Sequence, residues 1–281
     1  MTDQTSILLD DLTFPEGPRW HDGRLWFSDF YAHEVVAVDL EGNRETIVKV
    51  PGQPSGLGWT PDGRLLVVSM IDRKLMRLDP GGLVEVADLS ALAGYHCNDM
   101  VVDGEGRAYV GNFGYNSHDG DPFQTADLIR VDPDGNASVA ATGLAFPNGS
   151  VITPDGGTLI VGETRGHILS AWDRHADGSL HNRRVWANLA GGYPDGICLD
   201  AEGAVWVADP RGKETYRVLE GGEVTDRIST GEMGSFACML GGAERRTLFI
   251  CTCQQSGPGT AELRSGRIEI TEVLVPGAGW P

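Results

Sequence analysis

Glu16, Asn148 and Asp195 each stand between a proline and a glycine, in Pro15-Glu16-Gly17, Pro147-Asn148-Gly149 and Pro194-Asp195-Gly196. Each tripeptide opens one copy of a recurring phrase: PEGPRWHDGRLWFSD from Pro15, PSGLGWTPDGRLLVVSM from Pro54, CNDMVVDGEGRAYVGNFG from Cys97, PNGSVITPDGGTLIVGET from Pro147, PDGICLDAEGAVWVADP from Pro194 and FACMLGGAERRTLFICTC from Phe236. The second residue of each phrase gives the column Glu16, Ser55, Asn98, Asn148, Asp195 and Ala237. Brought to one place, its carboxylates and carboxamides would form an oxygen-only site for a cation. With no imidazole or thiolate at the same positions, such a site favours a hard ion, Ca²⁺ or Mg²⁺, over zinc. Carboxylates that converge in a narrow space repel unless protonated or metal-bound, which points the same way. The plainer alternative is that Pro-x-Gly makes a turn, where Asn and Asp are natural. Glu is not a favoured turn residue, however, and a turn does not require polar members in register.

The elements that must position this column follow from the spacing. Successive phrases start 39, 43, 50, 47 and 42 residues apart. Each reads as a strand, a tight turn of the Asp-Gly-Arg type and a second strand, with two more strands after it, as in VVAVDL-EGN-RETIVKV. Four strands per repeat of roughly 40–50 residues make one blade of a β-propeller. The expected fold is therefore all-β, a six-bladed β-propeller with four antiparallel strands per blade, forming one domain over residues 1–281 with the cation at one end of the central channel. In such a ring the first strand of each blade lines the channel. The leftover strand at residues 6–12 is expected to pair beside the last one, residues 267–275, because an open ring leaves edge strands exposed. Only Asp88 to Gly94 looks briefly helical.

Composition removes several classes of function. The 281 residues carry 22 basic and 40 acidic side chains, a net charge of −18, which repels polyphosphate and argues against a nucleic-acid partner. No apolar stretch of about 20 residues and no leader pattern is visible, so neither a membrane partner nor export is expected, and the chain reads as cytoplasmic. The 5 cysteines lie among apolar residues and read as buried packing thiols; the Cys251-Thr252-Cys253 spacing is wrong for a zinc knuckle.

Chain direction reverses at each turn, so the loops between second and third strands share an end with the polar column and should wall a pocket over it. They carry Tyr31, Met70 with Asp72, Asn112 to Tyr115, Glu163 with Arg165, and Asp209 with Arg211. The third, GYNSHDGDPFQTA, is the longest and reads as a lid or as a surface insertion.

FPEGPRW, CNDMVVDGEGRAYVGN, FPNGSVITPDG and GYPDGICLDAEGAVWVAD, in this order and spacing, resemble the gluconolactonase, regucalcin and senescence-marker-protein family of six-bladed propellers, over nearly the whole chain. The resemblance implies a divalent-metal lactonase, Ca²⁺- or Zn²⁺-supported, that opens sugar or related lactones. By the same resemblance Glu16, Asn148 and Asp195 are the metal ligands, Asn98 contacts substrate or a metal-bound water, and Asp195 is the general base. One divalent cation is the implied cofactor, Ca²⁺ first, with Zn²⁺, Mg²⁺ or Mn²⁺ as alternatives. Where sugar-lactone members carry Arg two residues before the Asn98 position, this chain has His96, which would suit another lactone or a proton transfer. Tyr115, Glu163 and Arg165 complete the expected substrate-binding set, with Glu163 and His96 as alternative bases. The expected partner is a small lactone.

Water attack on a lactone puts negative charge on the former carbonyl oxygen, and a cation there lowers the barrier without a covalent intermediate. No Gly-x-Ser-x-Gly nucleophile motif occurs. The competing readings are an esterase or organophosphate hydrolase on the same scaffold, a non-catalytic ligand-binding propeller, and a metal-free synthase that condenses an amine with an aldehyde.

Overall fold

The structure, a computed structural model, describes residues 5–116 and 119–279. Its strands form six four-stranded antiparallel sheets, and the blades follow chain order. The innermost strands are Pro15–His21, Pro54–Trp59, Cys97–Val102, Pro147–Ile152, Ile197–Leu199 and Gly234–Gly241. Each packs against the next around the ring, and the sixth packs against the first. The ring closes as the leftover strand foretold: Ser6–Leu12 is the outermost strand of the sixth blade, antiparallel to Gly266–Glu272 with Ser6 opposite Ile270. That pairing gives the last sheet an outer strand it would otherwise lack.

Innermost strands such as Cys97–Val102 and Pro147–Ile152 are buried along their whole length, whereas the outer strand Arg44–Lys49 is mostly exposed. An inner strand is covered on both faces by neighbouring blades, which is why its burial does not alternate along the strand. Large buried side chains such as Tyr109, Phe27 and Phe249 fill the spaces between sheets.

Pro-x-Gly is not a turn here. Pro15-Glu16-Gly17 and its counterparts at Pro54 and Pro147 lie inside the innermost strands. The glycines are there because neighbouring strands come close: a Cβ on Gly56 would lie 2.3 Å from the Met100 nitrogen, and one on Gly149 would lie 2.4 Å from the Ile197 nitrogen. Directly after the polar residue each of these strands carries one extra residue. Glu16 to Arg19, for example, faces the shorter span Ser28 to Trp26, and Pro147 to Ser150 faces Glu163 to Val161. A bulge of this kind bends the strand and re-aims a side chain.

Asp88 to Gly94 is not a helix. Asp88 ends a strand, and beyond it a single turn forms in which the Ala93 N–H donates to the Leu89 carbonyl at 2.8 Å. The cysteines are buried free thiols, and Cys198 Sγ lies 3.8 Å from Cys238 Sγ. No helix among the described residues is long and apolar enough to cross a membrane.

Candidate active site at the channel mouth

At the end of the ring where the innermost strands begin, the polar column meets a cavity of about 370 Å³ whose lining includes Glu16, Asn98, Asn148 and Asp195. Glu16 is 9 % exposed, Asn98 6 % and Asn148 5 %, while Asp195 is partly open. A hydrogen-bonded chain joins the column from blade to blade. Ser55 Oγ donates to Asn98 Oδ1 at 3.2 Å, and Asn98 Nδ2 donates to Asn148 Oδ1 at 2.9 Å. Asn148 Nδ2 donates to Thr164 Oγ1 at 3.1 Å and also serves the Asp195 carboxylate. Thr164 Oγ1 in turn donates to the Pro194 carbonyl at 2.6 Å, which ties the fourth blade to the fifth. Glu16 stands at the open end of this chain, receiving only the N–H of its neighbour Gly17 at 2.9 Å among the described hydrogen bonds. Between Asp195 and Glu16 the sixth blade contributes Ala237, which adds no polar group.

Both carboxylates are held well above the ordinary range. For Glu16 the main cause is burial, then the charge of Asp195; the Gly17 N–H opposes them. For Asp195 it is again burial, opposed by the Asn148 amide and reinforced by Asp99 and Asp209. Three residues beyond Glu16 on the same strand, Arg19 pairs with Asp99 at 3.1 Å, and both are buried. Asp99 is itself raised by burial, with Arg19 pulling it back down. Glu16, Asp99 and Asp195 against Arg19 are three acids to one base, so the fully ionised hub carries two uncompensated negative charges.

A dication would balance that charge. The available donors are two carboxylates and the neighbouring carboxamides; among the described residues no three His, Cys, Asp or Glu side chains gather into a group. An all-oxygen set with a formal charge of −2 suits a hard divalent ion, and Glu16, Asn148 and Asp195 are the residues that fit it.

The walls differ from the sequence expectation in part. Tyr31 and Arg165 line the cavity, as does Arg211. Glu163 does not: it is 2 % exposed, its carboxylate accepts Ser170 Oγ and the Ala145 N–H at 2.7 Å, and it pairs with Arg183 at 2.5 Å. It ties the loop before the fourth blade in place. Asp209 does the same for the fifth, accepting the N–H groups of Tyr193 at 3.0 Å and Gly212 at 2.8 Å. Met70 is buried in one apolar cluster with Phe14 and Phe30, and Asp72 accepts Ser69 Oγ at 2.9 Å. The Asn112 Oδ1 accepts the Gly114 N–H at 3.0 Å.

His96 is not among the lining residues; its ring stacks on Tyr95 with centroids 4.0 Å apart. Tyr115 lies against Phe123 in an adjoining recess that Arg165 shares. Within the long loop, Ser117 and His118 lie outside the described residues.

Sequence reasoning missed the aromatic collar. Phe14, Phe146 and Tyr193 line the cavity, and each immediately precedes the proline of a phrase, in Phe-Pro-Glu, Phe-Pro-Asn and Tyr-Pro-Asp. That repeat was the available signal. Phe113 stacks on Phe146 with centroids 4.7 Å apart, and Phe236 meets Phe14 edge-on at 4.7 Å. The sixth blade adds Gln254 to Gly257, where the Gly257 N–H donates to the Tyr31 hydroxyl at 3.1 Å. The Ser256-Gly257-Pro258-Gly259 run marked a turn there, but nothing in it placed the loop over the cavity.

Residues 14–254 match the family described as the SMP-30/Gluconolactonase/LRE-like region. The chain belongs to this family. Among curated relatives, this SMP-30/gluconolactonase-like protein is 28 % identical to the 6-deoxy-6-sulfogluconolactonase of Pseudomonas putida, covering 95 % of this chain and 93 % of that one. It is 27 % identical to a pentonolactonase of Haloferax volcanii, over 92 % of this chain and 87 % of the relative. Among solved structures, a calcium-binding regucalcin of Agrobacterium tumefaciens superposes with a TM-score of 0.83 at 20 % identity, covering 99 % of this chain and 96 % of that one.

Proposed function

We propose that the protein is a divalent-cation-supported lactonase that opens a sugar or related small lactone to its hydroxy acid. The observation that carries this reading is the pair of carboxylates at the channel mouth, Glu16 and Asp195, which line one cavity, make no ion pair among the described residues and are both raised by burial, Glu16 further by the charge of Asp195. Relatives named for sulfogluconolactone and pentonolactone hydrolysis support it, and the calcium-binding neighbour supports Ca²⁺ as the first choice of ion.

Glu16, Asn148 and Asp195 would hold the cation, which when bound supplies Lewis-acid polarisation of the lactone carbonyl and a counter-charge for the oxyanion. Asp195, the more open of the two acids, takes the proton from the attacking water and passes it to the departing ring oxygen. One C–O bond forms, the ring C–O bond breaks, and the product is a hydroxy acid. Asn98, held through both ends of its amide by Ser55 and Asn148, presents a fixed polar edge to the substrate. The Phe14, Phe146 and Tyr193 collar offers ring faces to the lactone and keeps bulk water from the floor. Glu163 is already engaged by Ser170 and Arg183, so it does not compete with Asp195 for the role of base.

The test is to strip the protein with a chelator and titrate it with Ca²⁺, Mg²⁺, Mn²⁺ and Zn²⁺ while following acid release from aldono-, aryl- and alkyl-lactones. Restoration of aldonolactone hydrolysis by one of these ions is expected. Full activity in chelator, or hydrolysis confined to the aryl-lactones, would overturn the reading.

A further inference from the structure

We propose that the lactone taken by this site carries a second, permanently anionic group away from the scissile ester, held by Arg165 and Arg211 at the cavity rim. The inference rests on the lactonase reading for the ring it assigns, but on separate residues for the anion.

In a chain with 40 acidic side chains against 22 basic ones, carboxylates should dominate any surface chosen at random. The cavity departs from that. Among the described residues its only acidic lining residues are Glu16 and Asp195 at the floor, whereas its rim carries Arg165, Arg211 and Lys213. Lys213 is committed to Glu232 at 2.8 Å. Arg165 and Arg211 are exposed and have no ion-pair partner among the described residues, whereas the buried Arg19 and Arg217 are paired. Asp121 shares the adjoining recess with Arg165, yet it accepts the Asn116 N–H at 3.3 Å and forms no ion pair there.

Both arginines extend from pinned backbone. The Arg165 N–H donates to the Ala145 carbonyl at 3.0 Å, and the Arg211 N–H donates to Asp209 Oδ1 at 3.0 Å. The Arg211 guanidinium lies 4.4 Å from the centroid of Tyr193, a member of the aromatic collar, so its planar fork is held beside the ring-binding surface. A guanidinium with open donors matches the oxygen geometry of carboxylate, sulfonate and phosphate alike. It also answers an electrostatic need: an anionic substrate is repelled at range by a −18 chain and requires local positive charge at the entrance.

The experiment has a binding arm that does not depend on turnover. Calorimetry on the Ca²⁺-loaded protein compares D-glucose with D-glucuronate, glucose 6-sulfate and glucose 6-phosphate, which share a ring and differ in the anion. At least one anion is expected to bind about 10-fold or more tightly than glucose, and the rank order of the three identifies the group. In Arg165→Gln/Arg211→Gln the preference should collapse toward unity, with Arg211→Lys keeping part of it. A turnover arm compares D-glucaro-1,4-lactone with D-glucono-1,4-lactone, expecting a kcat/KM ratio that favours the charged lactone and falls with salt and in the double variant. Equal affinity for glucose and all three anions, or a preference that survives in the double variant, would overturn the subsite even if both lactones are hydrolysed. Hydrolysis of neither lactone with the binding preference intact would sink the lactonase reading and leave the subsite standing.

Discussion

Asp195 and Asp200 flank one innermost strand, Ile197–Leu199, at its opposite ends, and their surroundings differ in kind. Asp200 is 1 % exposed; it accepts Arg217 Nε at 2.6 Å and the N–H groups of Glu202 at 2.9 Å and Ala204 at 3.0 Å. Asp103 repeats the arrangement two blades earlier, with Arg174 and with Arg107 at 3.2 Å. At the mouth, by contrast, Glu16 faces the charge of Asp195, and Arg19, whose guanidinium acts on Glu16, is held by Asp99. The far end neutralises its buried charge, within the fifth blade at Asp200 and between the third and fourth blades at Asp103. The mouth leaves buried charge uncompensated, an arrangement that costs stability and that a bound dication would relieve. The same residue type therefore does structural work at one end of the strand and is available for chemistry at the other.

Substitutions at the two ends should have opposite consequences. The largest effect is expected for Asp195→Asn, which should lower kcat for a lactone substrate by about 10³-fold, roughly 4 kcal/mol in the barrier, while the fold persists. Retained turnover in purified protein would break the contrast. Next, Asp200→Asn should leave kcat in place but cost about 3 kcal/mol of stability, read from denaturant midpoints, because Arg217 would be left buried without its charge partner. Loss of activity without loss of stability would reverse the roles given to the two ends.

Glu16→Gln is expected to act in the other direction on stability. In chelator near neutral pH it should stabilise the protein by about 1–2 kcal/mol while abolishing the response to Ca²⁺. The sign follows from linkage. Both hub carboxylates have folded-state values raised above their unfolded ones, so the cation-free folded chain binds more protons than the unfolded chain. Their favourable contribution is fully present below the unfolded values of about 4 and is lost as pH rises from there through the raised folded-state values. Thermal melts from about pH 5.5 to 8 in chelator should therefore fall more steeply for the wild type than for Glu16→Gln. Parallel curves would show that the mouth is not under charge strain. The smallest effect is expected for Phe146→Ala, which removes one ring of the collar and its stack with Phe113: KM should rise by about 5-fold, worth about 1 kcal/mol, with little change in kcat.

Much of this was legible in the sequence because the determinants are local and repeated. The phrase interval, the alternation of strand and turn and the leftover strand at residues 6–12 specify six blades and their closure. The column from Glu16 to Asp195 was legible for the same reason: equivalent positions in equivalent blades must meet at the axis. Glu163 shows where that logic stops. Its place at the end of a second strand put it beside the mouth, but Arg183, 20 residues on, and Ser170 claim its carboxylate. His96 likewise stands close to Asn98 in sequence, but it precedes the strand that begins at Cys97. The alternation of that strand therefore does not aim its ring, which packs on Tyr95 instead.

The chain by itself thus determined the repeat, the ring and the identity of the oxygen-bearing residues at its hub, since a periodicity of roughly 40 to 50 residues leaves few other ways to bury such strands. Only the tertiary structure decided which acids are neutralised. Asp99 with Arg19 is a contact between side chains 80 residues apart in sequence. Whether a buried carboxylate meets a guanidinium or another carboxylate depends on such distant neighbours, and no local pattern encodes them.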